Sequence, residues 1–433
     1  MEDLYIAVCG PVDAGKSSLI GVLTGGSLDN GRGLARSRIL HNPHEIESGR
    51  TSSITVNPIK YISKDGKVDL YSTKGKKKYN IEKIIETNIE YKEDKEKIIS
   101  FIDLAGHEKY LKTTIFGVTG LFPDRGIVVI GANTGITKLT REHLGILLYL
   151  KIPFIITITK IDLAPVEIYN KLKNRIKKLL MNNSFDKIVY FINNDTDTNN
   201  YIDNMIMDKD VIPVISISNK DGTNINNMHK ILYNTPSRDK WIEKPKDKTI
   251  IYLDANYNVP GIGLVLSGII KGSPVKVKDK LYIGPNNGKF YQVIIRSIHN
   301  SIREDVNKLE PNVHGCFAVK FTNPKDSLTR TQLKKGMVMI DNIENWKENI
   351  VDSFKAKIKV LHHSSTIRNG YTPVIHCGPI RQPAVIKLNT EEYLKSQDNA
   401  IVEFKFLHSK EFVEKNMVFF FRDGSTKGVG EII

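Results

Sequence analysis

Four short stretches carry residue types suited to a phosphorylated ligand. The first, GPVDAGKS at residues 10–17, fits the pattern G-x-x-x-x-G-K-[S/T] at each fixed position. Glycines let a loop turn tightly and bring backbone N–H groups against an anion at a helix N-terminus. In such a loop Lys16 reaches the β- and γ-phosphates and the Ser17 hydroxyl holds Mg²⁺. The second, DLAGH at 103–107, supplies a carboxylate, Asp103, that can hold Mg²⁺ through water. The Gly106 N–H can bond the γ-phosphate and register its loss, and His107 can orient the attacking water. The third, TKID at 159–162, ends in Asp162, whose carboxylate can accept from both the N1–H and the exocyclic amine of guanine. Adenine does not present that pair of donors. The fourth, SNKDG at 218–222, offers backbone N–H groups to the guanine O6. Together the four imply GTP.

The elements that must hold these stretches are legible as short apolar runs. Strands are expected at Leu4 to Cys9, Ile98 to Ile102, Gly126 to Ala132, Phe154 to Ile158 and Val211 to Ser216, with helices starting at Ser17 to Leu23 and spanning Thr140 to Leu150. Strand and helix alternate, so the sheet should be mostly parallel and covered on both faces, with ligands at the carboxyl ends of its strands. Residues 26–55 are polar and glycine-punctuated, with a short helix expected through Leu34 to His41. A stretch of this kind beside a phosphate site is a candidate for ordering by the γ-phosphate. One hydroxyl from the cluster Thr51, Ser52, Ser53 would then complete the Mg²⁺ shell. Residues 56–100 read as two strands flanking a lysine-rich run, Lys74 to Lys78, expected as a solvated hairpin tip.

At 433 residues the chain has room for about three domains, and a hydrophobic fraction of 40% suffices for packed cores. No apolar run reaches the length of a membrane span, and the first residues read as a strand, not a cleavable leader. A cytoplasmic, soluble monomer without membrane contact is the expectation. Cys9, Cys316 and Cys377 are far apart and form no CxxC pair, which fits a reducing compartment. The net charge of +15 points to RNA or an RNA-containing particle as partner, although the chain's Lys, Asn and Ile bias is one that an A/T-rich genome also produces. A charged linker at 236–248 leads into alternating Val, Ile and Leu with Gly, Pro and Asn turns, the mark of a small antiparallel barrel. A second all-β unit spans about 350–433. Its His362, His363, His376 and Cys377 are read as packing and surface residues, not as metal ligands.

The set GPVDAGKS, DLAGH, TKID and SNKDG resembles the GTPase domain of translational GTPases of the elongation factor Tu type. More narrowly, LDNGRGLARSRILHNPHEIESGRTSSI resembles the first switch of the GTP-binding protein 1 family, a branch of that group. Residues 258–285, the strand VIIRSIH, VLHHSSTIRNGYTPVIHCGPIRQPAVI and FFFRDGSTKGVGEII resemble its second and third domains, so the likeness covers almost the entire chain. The fold implied is an α/β P-loop GTPase domain followed by two all-β barrel domains, with limits at 1–240, 248–345 and 350–433.

The resemblance also implies roles. Asp13, Ala14, Gly15, Lys16, Ser17 and Ser18 would hold the phosphates, and Ser17, Ser53 and Asp103 the Mg²⁺. Gly106 and His107 form the second switch, with His107 catalytic, while Thr159, Lys160, Asp162, Ser218 and Asn219 enclose the base. Three residues depart from the family pattern. Thr159 replaces the usual Asn of the guanine motif, Ser52 stands where an isoleucine opposite Val12 gates the catalytic histidine, and Ser53 replaces a threonine. The function implied is a GTPase that turns GTP into GDP and phosphate, carrying aminoacyl-tRNA or acting on the ribosome. The alternative is a GTP-controlled RNA-binding adaptor in mRNA decay or surveillance with slow hydrolysis. In the carrier reading, Asn300 and Arg303 fall near the pocket for the charged tRNA end.

Overall fold

The computed structural model describes residues 2–40, 45, 51, 54–64, 67–74, 80–87, 96–181, 186–237, 247–323, 327–329, 331–334, 336–388, 392–424 and 426–433. Ser52, Ser53 and most of the lysine-rich run therefore lie outside the described residues. The chain divides into two compact units, one of residues 1–118 and 123–238, the other of residues 119–122 and 239–433.

The first unit is built on a nine-stranded sheet. Its strands are β1 (Glu2–Cys9), β2 (Thr55–Lys64), β3 (Lys67–Lys74), β4 (Asn80–Thr87), β5 (Glu96–Asp103), β6 (Arg125–Gly131), β7 (Phe154–Thr159), β8 (Ile188–Ile192) and β9 (Val211–Ser216). Their spatial order is β4-β3-β2-β5-β1-β6-β7-β9-β8. The six from β5 to β8 in that order run parallel. Parallel strands are covered on both faces, which is why β1 and β6 read as continuous apolar runs. Leu4, Ile6 and Val8 of β1 share one core with Leu19, Ile20 and Leu23 of helix α1 (Lys16–Gly25). Packing thus fixes the loop between β1 and α1 from both sides.

Two expectations need correction. The short helix α2 covers only Leu34–Ser37, because Arg38 already bonds back to the Ala35 carbonyl in a tighter turn. Between residues 55 and 87 there are three strands, not two before β5, and β2, β3 and β4 pair antiparallel as an extension of the parallel sheet. The Asp-Gly pair at 65–66 was a hairpin signal that length alone obscured. At its start β5 is anchored by Lys97, whose Nζ donates to the carbonyls of Tyr233 (2.9 Å) and Thr235 at the end of α7 (Ile225–Asn234), the last helix of the unit. The other end of β5 carries Asp103.

Four further helices cross the sheet: α3 (Leu111–Thr119), α4 (Lys138–Tyr149), α5 (Val166–Leu180) and α6 (Asp195–Asn204). In α4, Thr137 and Thr140 cap each other, each side-chain oxygen accepting from the other's backbone N–H at 3.2 Å. That satisfies two donors that a helix start otherwise leaves open.

The second unit holds two barrels. The main strands of the first are β10 (Thr249–Val259), β11 (Gly263–Gly272), β12 (Lys280–Asn286), β13 (Lys289–His299), β14 (His314–Phe321) and β15 (Val338–Ile340), closed by β12 pairing with β13. Those of the second are β16 (Ser353–His362), β17 (Val374–Cys377), β18 (Ile380–Leu388), β19 (Asn399–Phe406), β20 (Val418–Asp423) and β21 (Thr426–Ile432), in closed order β16-β19-β18-β17-β20-β21. Inward residues of the second barrel, such as Phe404, Phe419 and Phe421, continue into a cluster with Ile250, Tyr252, Ile269, Val338 and Ile340 from the outer face of the first. The two barrels share this cluster, while Ile251, Leu253, Val293 and Phe317 belong to a separate core of the first. No helix among the described residues is long and apolar enough to cross a membrane.

Candidate functional site

The loop from Gly10 to Ser17 owes its course to backbone angles that side chains resist. Gly10 has φ +149°, and a Cβ there would lie 2.4 Å from the Val129 carbonyl oxygen. Asp13 (φ 60°) and Gly15 (φ 90°) take left-handed conformations, so successive N–H groups curl toward one side at the start of α1. Ala14 is fully buried and Ser18 is half-buried on the first turn. Gly106, from the stretch after β5, packs directly on this loop. A Cβ at Gly106 would lie 2.3 Å from Lys16 Nζ and 2.8 Å from the Pro11 carbonyl carbon, so only glycine permits the approach.

Four side chains converge where loop and β5 meet. Lys16 is buried and donates to the Pro11 carbonyl at 3.0 Å. Ser17 donates its hydroxyl to Asp103 Oδ2 at 2.7 Å. Thr51 joins them, its Oγ1 lying 2.9 Å from Ser17 Oγ and donating to Asp103 Oδ2 at 3.1 Å. Burial pulls the Lys16 ammonium below its ordinary value, opposed by the nearby Asp103 charge. Burial likewise pushes Asp103 up, opposed by Lys16 and by the Ser17 and Thr51 hydrogen bonds, while the buried Glu45 carboxylate adds to the rise. Asp103 Oδ1 is buried with no hydrogen-bond partner among the described residues. The Asp103 carboxylate with the Ser17 and Thr51 hydroxyls is a hard, all-oxygen donor set, and Mg²⁺ fits it. Among the described residues, the hydroxyl brought to Ser17 and Asp103 is that of Thr51. Ser53, expected at the Mg²⁺, and Ser52 of the gate lie outside the described residues.

His107 stands apart from this cluster. It is exposed, its Nδ1 accepts from the Lys109 N–H at 3.0 Å, and its ring meets Tyr110 edge-on at 6.1 Å. A different imidazole, His143 of α4, is buried with neither ring nitrogen partnered among the described residues. Burial, aided by the Lys16 charge, pushes it down to about 3, so it stays neutral. The thiols of Cys9 and Cys377 are buried and pushed up to about 12, and all three cysteines are free.

The base-side residues assemble at the carboxyl ends of β7 and β9. Thr159 donates its hydroxyl to the Ala14 carbonyl at 2.5 Å, tying the base strand to the phosphate loop. Here the residue that departs from the family pattern supplies the tie itself. Lys160 follows in a left-handed conformation (φ 58°), which swings the chain so that Asp162 is exposed. Ser218, fully buried, donates its hydroxyl to Asp162 Oδ1 at 3.0 Å and accepts from the N–H groups of Lys220 (3.3 Å) and Asp221 (3.2 Å). Asp162 is thus oriented by a side chain for which the sequence argued only a backbone role. Asn219 accepts from the Asp29 N–H at 2.8 Å through its carbonyl, and its side-chain oxygen is buried without a partner among the described residues. Asn300 of the first barrel bonds inside its own turn, accepting from Ile302 and Glu304 N–H at 3.2 and 2.8 Å, which makes it a shaper of that loop.

Thr159→Ala should remove the tie to Ala14 and weaken guanine-nucleotide affinity by about 10-fold, the worth of one buried hydrogen bond. Thr159→Asn should restore most of it. Equilibrium titration with a fluorescent GDP distinguishes these outcomes from a purely spacing role, in which Thr159→Val would behave as wild type.

The family described as the elongation factor Tu GTP binding domain matches residues 2–238. Over 433 residues the chain is 38% identical to GTP-binding protein 1 of Xenopus laevis, which accounts for 99% of this chain and 63% of that protein. It is 35% identical to GTP-binding protein 2 of Homo sapiens, over 99% of this chain and 69% of that one. The chain therefore spans about two thirds of the length of these relatives. The crystal structure of a bacterial selenocysteine-specific elongation factor is similar in fold, with a TM-score of 0.66 at 20% identity over all of this chain and 58% of that one.

Proposed function

Because this chain belongs to the elongation factor Tu type of GTP-binding protein, in the branch of GTP-binding proteins 1 and 2, we propose that it binds and hydrolyses GTP and acts as an elongation-factor-like carrier of aminoacyl-tRNA or on the ribosome. The observation that carries the chemistry is the convergence of Lys16, Ser17, Thr51 and Asp103 beneath the Gly106 backbone, with an acid, Asp162, held by Ser218 at the base end.

In this reading a phosphate entering the loop takes Lys16 from the Pro11 carbonyl, and the ammonium offsets charge on the β- and γ-oxygens. Bound Mg²⁺ would be held by Ser17 and Thr51 with Asp103 behind them, and it supplies further offset of the charge that develops on the transferred phosphoryl group. His107 turns from Lys109 to orient a water in line with the γ-phosphorus. Water attacks, the bond from the γ-phosphorus to the β–γ bridging oxygen breaks, and GDP and phosphate leave. Asp162 accepts from guanine, while Ser218 and Asn219 close the base pocket. Domain limits at 1–240, 248–345 and 350–433 are part of the same proposal.

The switch hydroxyl gives a direct test. Thr51→Ala should raise the Mg²⁺ concentration needed for tight GTP binding by about 10-fold with little effect on GDP, whereas Ser53→Ala should leave both unchanged. The reverse result would return the ligand role to Ser53. The carrier role is tested by binding of the GTP-loaded chain to matched aminoacylated and deacylated tRNA across a salt series. Preference for the charged form only with GTP supports the carrier. Equal, steeply salt-dependent binding in both nucleotide states overturns it in favour of an RNA-linked switch.

A further inference from the structure

We infer that the solvent face of α5 is a docking surface for the phosphodiester backbone of RNA. The helix is turned by Leu172, Ile176 and Leu180, which are buried at successive i, i+4 steps. That rotation leaves Lys171, Arg175 and Lys178 exposed, at i, i+4 and i+7, as one stripe of cations, with Asn170, Asn174 and Lys177 exposed beside it. Among the described residues no ion pair engages Lys171, Arg175, Lys177 or Lys178. Some other cations of the same unit do have partners, among them Lys60 with Glu96 at 2.9 Å, Lys187 with Asp210 at 2.5 Å and Lys230 with Asp195 at 3.4 Å. The single acid of α5, Glu167, sits in its first turn. Like charges one turn apart each destabilise a helix by about 0.2–0.5 kcal/mol, so this face is unfavourable until an anion covers it.

From Lys171 to Lys178 the helix rises about 10 Å at 1.5 Å per residue. That length lets the stripe meet successive phosphates of one nucleic-acid strand. Arg175, at its centre, has the planar fork that binds a phosphate through two donors. Asn170 and Asn174 supply the neutral donors and acceptors that sugar and phosphate oxygens use. An acidic protein segment would meet the same charge, and it is the competing occupant that the test separates. The inference rests on the reading that RNA is a partner and adds where the RNA lies.

The test uses the full chain and a short fluorescent oligouridine, followed by anisotropy from low to physiological salt. Lys171→Gln/Arg175→Gln/Lys178→Gln should weaken binding by about 10- to 100-fold at low salt and flatten the log–log salt dependence by about 2, since each single-strand contact contributes about 0.7. GTP affinity should not change, which confirms the fold. Lys171→Arg/Lys178→Arg should bind as wild type, and so should Lys187→Gln, which removes a cation already paired. Wild-type affinity and slope in the triple variant would overturn the inference, as would loss of polyglutamate binding by that variant with RNA binding intact. If the wild type binds tRNA but the triple variant keeps its slope, only this surface fails. If the wild type binds no RNA at all, the RNA reading itself fails.

Discussion

Asp162→Asn is expected to lower GTP affinity by at least about 100-fold and to raise affinity for xanthosine triphosphate. A site built to pair with a ligand's donors rejects a partner that leaves its groups unmatched, and penalties of this order follow. In the wild-type chain one carboxylate oxygen of Asp162 accepts from Ser218 at 3.0 Å, which fixes the plane of the group and leaves the acid exposed for the base. A carboxamide presents a donor toward the guanine N1–H and amine, so two donors face one another. Xanthine carries an oxygen in place of the amine and accepts that donor. Competition titration of the two nucleotides against a fluorescent analogue measures the exchange of preference. A variant that still ranks guanine first would remove Asp162 from base recognition.

On the proposed reading as a ribosome-acting GTPase, His107→Ala is expected to leave GTP affinity within about 2-fold of wild type while lowering single-turnover hydrolysis with ribosomes by about 10²- to 10⁴-fold, the range of a positioned proton-handling or water-orienting group. Affinity should be spared because His107 touches none of Lys16, Ser17, Thr51 or Asp103. It is exposed, and its Nδ1 is engaged by the Lys109 N–H at 3.0 Å. Reaching a γ-phosphate water requires exchanging that local bond for one in the site, which makes the histidine's rotation a natural point of control by a partner. Stimulated rates equal to wild type would show that water is positioned by another group.

How far these sites could be read from sequence depended on how local their determinants are. The loop at 10–17 was readable because its glycines answer to local backbone demands, and β1 and α1 on either side are plain apolar runs. Asp103 was legible because it ends the buried strand β5, where a carboxylate has no packing reason to be, and Asp162 because it follows the carboxyl end of β7 within three residues. The approach of Thr51 to Ser17 and Asp103 was not, since no local pattern fixes which way a hydroxyl in a non-repetitive segment turns. Thr159 was visible as a departure from the family pattern. Its hydrogen bond to Ala14, 145 positions away in sequence, is a tertiary fact that no local pattern encodes. The same holds for Ser218, which is set against Asp162 by the pairing of β7 with β9. The extra strand before β5 was not legible because only two residues separate β2 from β3, so the two read as one run.

The cluster shared by the two barrels constrains how the chain is made. Ile250, Tyr252, Ile269, Val338 and Ile340 are translated before any strand of the second barrel, yet their side chains are covered by that barrel's interior. A nascent chain exposes its N-terminal portions first. The first barrel can close its ladder early while keeping an uncovered greasy wall until the last strands, through Ile432, have left the exit tunnel. A chain cut within the second barrel is therefore expected to keep that wall exposed and to be a client for chaperones.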